Sequence, residues 1–239
     1  MIIKKNRKRP VKMIAHRGYS GIEQENTMAA FIAASNRSYY GIELDVHLTN
    51  DGVFVICHDG DVKRVSPFDY EIKNTSYNKL AEITLYDKVD KEVKSHLRIP
   101  TLKDYLLLAT KYKKHSFIEI KPEFNDEEIK RLFYEISKYS NLANISIISF
   151  KYSNLEKMRN FSKTISLQYL ANRSNFEVLE QCKRINADLD VHYKHIEKCD
   201  IDLYHNQGLK VNVWTIDSIE IAEKFSRWGV DFITTNILE

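Results

Sequence analysis

The chain has 239 residues, 43% of them hydrophobic, a formal net charge of +3 and three cysteines. That length supports one sizeable core, the charge is too small to argue for nucleic acid, and a sparse, odd set of thiols fits a reducing, cytoplasmic compartment rather than a disulfide framework. No stretch is long and apolar enough to span a membrane, and no apolar run follows the basic N-terminal stretch as a secretory signal would require.

In chain order, that basic stretch (Lys4, Lys5, Arg7, Lys8, Arg9, Lys12) comes first. It reads as a solvated arm, with peripheral contact to an anionic lipid surface as the alternative. Short strand-like runs follow at 11–15, 41–46, 117–120, 145–149, 165–169, 187–191, 210–214 and 232–234, with an extra arm at 53–58. Between them lie amphipathic stretches at 25–35, 102–113, 126–139, 153–160, 175–183, 196–206 and 218–228. Thr101 with Asp104 resembles a capping box, Asp217 or Ser218 is placed to cap the last helix, and Gly208 and Gly229 sit where helices should stop. Eight parallel-type strands separated by helices predict an α/β fold, a closed (β/α)8 TIM barrel rather than an open doubly wound sheet. No glycine-rich nucleotide loop is present.

Residues 42–59 read as two alternating strands around an Asp51-Gly52 turn. A two-residue turn sets Asp45 opposite His58, so that Glu43, Asp45 and His58 share one face and Cys57 turns to the other as a buried structural thiol. Two carboxylates and an imidazole in one place call for a cation or a proton between them. The next stretch, 59–99, is polar and far too long for a plain βα loop. It predicts a small subdomain, inserted after the hairpin that ends at His58, capping or flanking the mouth of a single barrel domain spanning 1–239.

In such a barrel, chemistry sits at the carboxyl ends of the strands. Here those ends bring His16-Arg17-Gly18, Glu43 with Asp45, Glu119-Ile120-Lys121, Phe150, Gln168, Asp190 with His192, Trp214 with Asp217, and Asn236. Three carboxylates, Glu43, Asp45 and Glu119, suit one hard divalent cation, Mg²⁺ or Ca²⁺, rather than zinc. Arg17 and Lys121 add fixed positive charge, which together with a cation makes a phosphate site. His16 and His58 come from different strands and can flank a phosphorus centre, one taking a proton and the other giving one. The alternatives are structural: a buried salt bridge of Glu43 and Asp45 to Arg17 or Lys121, and core or structural roles for Trp214, His47 and His192.

These residues fall in an ordered set. Ala15-His16-Arg17-Gly18, Glu25-Asn26-Thr27, Glu43-Leu44-Asp45, Asp51-Gly52 with Val55 and His58-Asp59, Ile99-Pro100-Thr101-Leu102, Glu119-Ile120-Lys121, Ser149-Phe150, Val213-Trp214-Thr215 and Thr234-Thr235-Asn236 run from residue 15 to 236. The set resembles the glycerophosphodiester phosphodiesterase family, within the phospholipase-C-like phosphodiesterases. The resemblance implies hydrolysis of small-molecule glycerophosphodiesters to sn-glycerol 3-phosphate and an alcohol. His16 and His58 would be the acid/base pair, and Glu43, Asp45 and Glu119 the metal ligands. Arg17 and Lys121 would hold phosphate, Trp214 would face the glycerol end, and Phe150 is a further contact. Gln24 stands where a proline often precedes Glu25, and Lys151 where an acidic residue is common; both bear on substrate preference rather than on the proposed chemistry.

Two other functions compete. One is a lysophospholipase D-like enzyme acting at a membrane, for which Val65, Pro67, Phe68, Tyr70, Leu80, Ile83, Leu85 and Tyr86 of the insertion would supply an apolar rim. The other is a non-catalytic phosphate-ligand binder on the same barrel; the intact histidines and carboxylates argue against it.

Overall fold

The structure is a computed structural model that describes residues 11–239; Lys4, Lys5, Arg7, Lys8 and Arg9 lie outside the described residues. Chain order runs β1 (Lys12–Ala15), α1 (Met28–Ser35), β2 (Gly41–Leu48), β3 (Phe54–Ile56), α2 (Tyr77–Ala81), β4 (Leu85–Tyr86), β5 (Val93–Lys94), α3 (Leu102–Tyr112) and β6 (His115–Ile120). It continues through α4 (Asp126–Tyr139), β7 (Ile145–Ser149), α5 (Tyr152–Phe161), β8 (Ser166–Ala171), α6 (Phe176–Ile185), β9 (Asp188–His192), α7 (Lys198–Asn206), β10 (Val211–Trp214), α8 (Ile219–Trp228) and β11 (Phe232–Thr235).

Among the described residues, the parallel strands pair in the order β1-β11-β10-β9-β8-β7-β6-β2, and β2 returns to β1. The sheet is therefore a closed eight-stranded barrel with helices outside, the (β/α)8 architecture. Alternation along β2 explains the burial: Ile42, Leu44 and Val46 pack outward into the main core, while Glu43, Asp45 and His47 project to the other face. Inside the barrel, Ile14, Phe117, Ile148, Leu170 and Phe232 form an apolar plug below the mouth. A polar belt beside it satisfies itself, with Asn212 donating to Gln168 Oε1 and Thr234 donating to Asn212 Oδ1, both at 3.2 Å.

The helices start and stop where local chemistry dictates. Asn125 and Glu128 close a capping box on α4, and Ile129, Leu132 and Ile136 bury one face of it. The Thr101 side chain accepts from Asp104 N on α3, Ser218 accepts from Ile221 N on α8, and Gly229 ends α8 at φ 100°.

The hairpin departs from the two-residue turn. β3 pairs with β2 in the register Leu48↔Phe54 and Val46↔Ile56, so the connection is five residues, 49–53. Thr49 causes this: its backbone N–H donates to Val53 O (3.0 Å) and its hydroxyl oxygen accepts from Val53 N (2.9 Å). The turn is closed by Gly52 N–H donating to Thr49 O (3.0 Å), and the Asp51 carboxylate within it accepts from the Thr49 hydroxyl (2.6 Å) and from Tyr77 N in the following segment (3.0 Å). One residue of slip places Asp45 opposite Cys57, whose N–H donates to Asp45 O (3.0 Å), and not opposite His58. The strand arm ends at Ile56, and His58 reaches the mouth through a bend beyond it.

Segment 59–99 has its own small core: Val62, Val65, Ile72, Leu80, Ile83, Leu85 and Leu97 pack with Val55, Cys57 and Ile99. Val65, Leu80, Ile83 and Leu85, expected at an apolar rim, are thus buried. Of that set Pro67 and Phe68 are exposed, with Phe68 stacked on Tyr70.

Candidate active site

The chain turns sharply after β1. Arg17 adopts φ 55° and Gly18 φ 80°, and a Cβ at Gly18 would lie 2.7 Å from the Ala30 carbonyl carbon of α1. A left-handed Arg17 is strained by on the order of 1–3 kcal/mol, and the turn converts that strain into aim. The Arg17 N–H donates to Glu43 Oε2 (2.9 Å), its Nη1 donates to Glu25 Oε1 (2.8 Å), and its Nε lies 3.4 Å from Asp45 Oδ2. Asn26, also left-handed at φ 57°, donates from Nδ2 to the same Asp45 oxygen at 2.7 Å.

His16 is oriented from the far end of the chain. Asn236 Nδ2 donates to Asp217 Oδ2 (2.6 Å), which fixes the amide, and Asn236 Oδ1 accepts from the Ser20 hydroxyl (2.8 Å). The same Oδ1 lies 2.8 Å from His16 Nδ1. An acceptor there requires that Nδ1 carry the proton, which leaves Nε2 bare, 4.0 Å from Glu43 Oε2. Burial, reinforced by the Arg17 guanidinium, pushes the imidazole down to about 4.

Glu43, Asp45 and Glu119, all buried, each offer an oxygen within 4.8 Å of the others. The register places Asp45 directly beside Glu119 on β6. Burial, with Asp45 and Glu119 as neighbours, raises Glu43 well above the carboxylate range. Burial and Asp45 push Glu119 up to about 7. For Asp45, burial acts upward too, but Arg17 and Lys121 outweigh it and the carboxyl is lowered. Lys121 Nζ lies 2.9 Å from Glu119 Oε1 and 3.5 Å from Asp45 Oδ1. The salt-bridge alternative is therefore present as geometry, yet it does not balance the site: Arg17 also serves Glu25, and Asp45 Oδ1 has no hydrogen-bond partner. An all-oxygen trio with a charge deficit and a free oxygen fits a hard divalent cation.

His58 Nδ1 lies 2.7 Å from Asp59 Oδ1. Arg64 donates to Asp59 Oδ2 (2.6 Å) and, through two nitrogens, to both Glu25 oxygens (2.9 and 2.8 Å). Segment 59–64 thereby fastens His58 to the loop after β1. Arg64 and Arg17 hold Glu25 at about 2 in spite of its burial.

A cavity of about 160 Å³ joins these groups. It is lined by His16 and Arg17 after β1, Glu43 of β2, His58, Glu119 and Lys121 at the end of β6, and, from β7 round to β11, Ile148, Phe150, Leu170, Asp190, Trp214 and Thr234. The Phe150 ring stands at 90° to Trp214 with centroids 5.8 Å apart, and His192 meets Trp214 edge-on at 5.0 Å. Eight of the nine residues singled out in the sequence as a site thus line one cavity, and the ninth, Asp45, joins two of them, Glu43 and Glu119, in the oxygen cluster. Asn236 stands out in the sequence as a strand-end residue without a role, and Asp217 as a strand-end residue and alternative cap of the last helix; in the structure Ser218 is the cap and Asp217 holds Asn236. Arg64 had no signal at all, because its partners Glu25 and Asp59 meet it only in the folded chain.

A family model described as the glycerophosphoryl diester phosphodiesterase family matches residues 16–239. A glycerophosphodiester phosphodiesterase of Caldanaerobacter subterraneus is 29% identical over 231 residues, covering 94% of this chain and 93% of that protein. Among solved structures, the glycerophosphodiester phosphodiesterase of Thermotoga maritima superposes with a TM-score of 0.76 at 28% identity, covering 95% of this chain and 94% of the other. An Oleispira antarctica phosphodiesterase, solved with the product sn-glycerol-3-phosphate, superposes with a TM-score of 0.88 at 24% identity, covering 94% and 92%, and shares the fold. The match of the family model across nearly the whole barrel, with the site residues inside it, shows that the chain belongs to the glycerophosphoryl diester phosphodiesterase family.

Proposed function

We propose that this chain is a metal-dependent enzyme that hydrolyses small-molecule glycerophosphodiesters to sn-glycerol 3-phosphate and an alcohol. One observation carries the reading: three buried carboxylates converge beside Arg17 and Lys121, and two imidazoles held by separate partners face the same cavity. Family membership supports the substrate class.

In this reading Glu43, Asp45 and Glu119 hold one divalent cation, Mg²⁺ or Ca²⁺, whose charge supports the phosphoryl oxygens when it is bound. Arg17 and Lys121 hold phosphate oxygens by charge-assisted hydrogen bonds. His16, neutral and with Nε2 bare, takes the proton of the attacking group, which is water, or a neighbouring glycerol hydroxyl whose cyclic phosphate is then opened by water. His58, held through Nδ1 by Asp59, gives a proton to the leaving alkoxide. Trp214 and Phe150 wall the glycerol end. Residues 59–99 act as a subdomain inserted in one barrel domain spanning 1–239, and Asp59 and Arg64 from it fix His58. Cys57 and Cys182 are buried and Cys199 is exposed, all free thiols, in keeping with a cytoplasmic setting.

A panel of glycerophosphocholine and lysophosphatidylcholine, assayed with EDTA, Mg²⁺, Ca²⁺ and Mn²⁺, tests this. Cation-dependent release of sn-glycerol 3-phosphate from glycerophosphocholine is expected. Burial of Val65, Leu80, Ile83 and Leu85 in the insertion's own core predicts weak turnover of lysophosphatidylcholine. Full activity in EDTA, or tight binding without turnover under saturating cation, refutes the reading.

A further inference from the structure

Asp190 is the one carboxyl of the cavity outside the charged cluster just described. It projects from β9 to the barrel interior, beside Leu170 on β8 and Asn212 on β10. It lines the cavity and is 2% exposed. It is not part of the oxygen cluster formed by Glu43, Asp45 and Glu119, and no lysine or arginine pairs with it among the described residues. Its Oδ1 has no hydrogen-bond partner. Buried polar atoms are nearly always paired, so an orphan on a cavity wall marks a place where something else supplies the partner. In the adjacent belt the hydrogen bonds of Asn212 run to Gln168 and Thr234, and whatever its amide lends to the Asp190 carboxyl, Oδ1 is left without a partner.

A second orphan lies on the same wall. Trp214 Nε1 is buried without an acceptor, although an indole N–H that is buried normally finds one. Around the two, Ile148, Leu170 and Phe150 contribute only hydrocarbon. β8 to β10 therefore present one carboxyl and one N–H donor in an apolar frame, opposite β1, β2 and β6 in the strand order of the barrel; the nearby Thr234 hydroxyl on β11 is spent on Asn212. That is the complement of a small polyol, whose hydroxyls each donate and accept, and it is a poor surface for an acyl chain or a second anion.

From this geometry we infer that Asp190, assisted by Trp214 Nε1, is the specificity group that hydrogen-bonds the free hydroxyls of the substrate's glycerol moiety. The inference rests on the function proposed above and adds a residue and a discrimination to it. Burial, with Glu119 as a further negative neighbour, raises Asp190 well above the usual carboxylate range, and the Asn212 amide does not offset this. A carboxyl accepts from a hydroxyl in either charge state and, where it holds its proton, also donates to one. Asp190 thus reads which phosphodiester is present, and the groups opposite act on it.

The test is direct binding, by titration calorimetry, to the Mg²⁺-loaded protein. The probes are sn-glycerol 3-phosphate and n-propyl phosphate, which differ only in the two hydroxyls. Wild type is expected to prefer glycerol phosphate by at least tenfold, since a site built for hydroxyls is left with unpaired groups when they are missing. Asp190→Ala should weaken glycerol phosphate by about tenfold or more, leave n-propyl phosphate within about threefold, and leave Mg²⁺ affinity unchanged. Trp214→Phe, which keeps the ring and removes the donor, should reduce the preference in the same direction by less. Thermal melting checks the fold of each; if Asp190→Ala does not fold, Asp190→Leu, which fills the space, carries the same expectation. Equal weakening of both ligands, a preserved preference, or altered Mg²⁺ affinity overturns the assignment. A wild type that hydrolyses glycerophosphodiesters while Asp190→Ala keeps the preference overturns this inference alone. A wild type that binds neither phosphate and hydrolyses no glycerophosphodiester overturns the proposed function and the inference with it.

Discussion

Replacing Glu119 with Gln removes one charge from a trio that the fold holds together at a cost. In the cation-free protein, Glu119 titrates at about 7 against an ordinary 4.5. The folded state therefore binds more protons than the unfolded state across that window, and stability falls as pH rises through it. At about 1.4 kcal/mol per unit, the loss is roughly 3 kcal/mol by pH 8. Glu43, raised as well, adds in the same direction, whereas Asp45, lowered, loses its contribution only in stronger acid. Glu119→Gln also deprives Lys121 of a partner at 2.9 Å, but Asp45 remains 3.5 Å away. The variant in EDTA at pH 8 is thus expected to be about 1–3 kcal/mol more stable than wild type, at about 2–4 °C per kcal/mol for a chain of this size. A divalent cation at a hundred times its dissociation constant should stabilise wild type by about 2.7 kcal/mol and the variant far less. Scanning calorimetry at pH 5.5 and 8, with EDTA or with Mg²⁺, reads both effects. A lower melting temperature for Glu119→Gln in EDTA at pH 8, or an undiminished rise with Mg²⁺, would show that the carboxylates do not form a cation site under mutual repulsion.

His16→Ala and His58→Ala should each lower kcat by roughly 10²–10⁴-fold with melting temperatures near wild type; steady-state assay with circular dichroism checks this, and near-normal turnover in either removes that residue from the mechanism. Asn236→Leu abolishes the acceptor at 2.8 Å that sets the His16 tautomer, so kcat should fall by about 10–100-fold with KM little changed; an increase in KM alone would mean that Asn236 acts on substrate instead. Gly18→Ala forces a Cβ to 2.7 Å from the backbone of α1 at a φ of 80°, and denaturant titration should show at least about 2 kcal/mol of destabilisation.

Much of this molecule was legible residue by residue. Alternation placed Glu43 and Asp45 on the inner face of β2, and the pair Glu119 and Lys121 on that of β6, because a strand's period of two is a property of the backbone alone. The count of strand and helix segments specified a closed barrel, since parallel strands need crossovers and crossovers need helices. Cap residues such as Thr101 and Ser218 marked helix starts by purely local hydrogen bonding. Tertiary structure decided the rest. The hairpin register slipped by one because Thr49 bonds Val53 while Asp51 turns to Tyr77, a partner from the next segment. The His16 tautomer is set by Asn236, 220 positions away, and His58 is fixed by Arg64 only because Glu25 waits across the mouth. Periodicity and capping act over a few residues and leave their pattern in the chain; a hydrogen bond between distant side chains exists only once closure of the barrel has brought its two ends together.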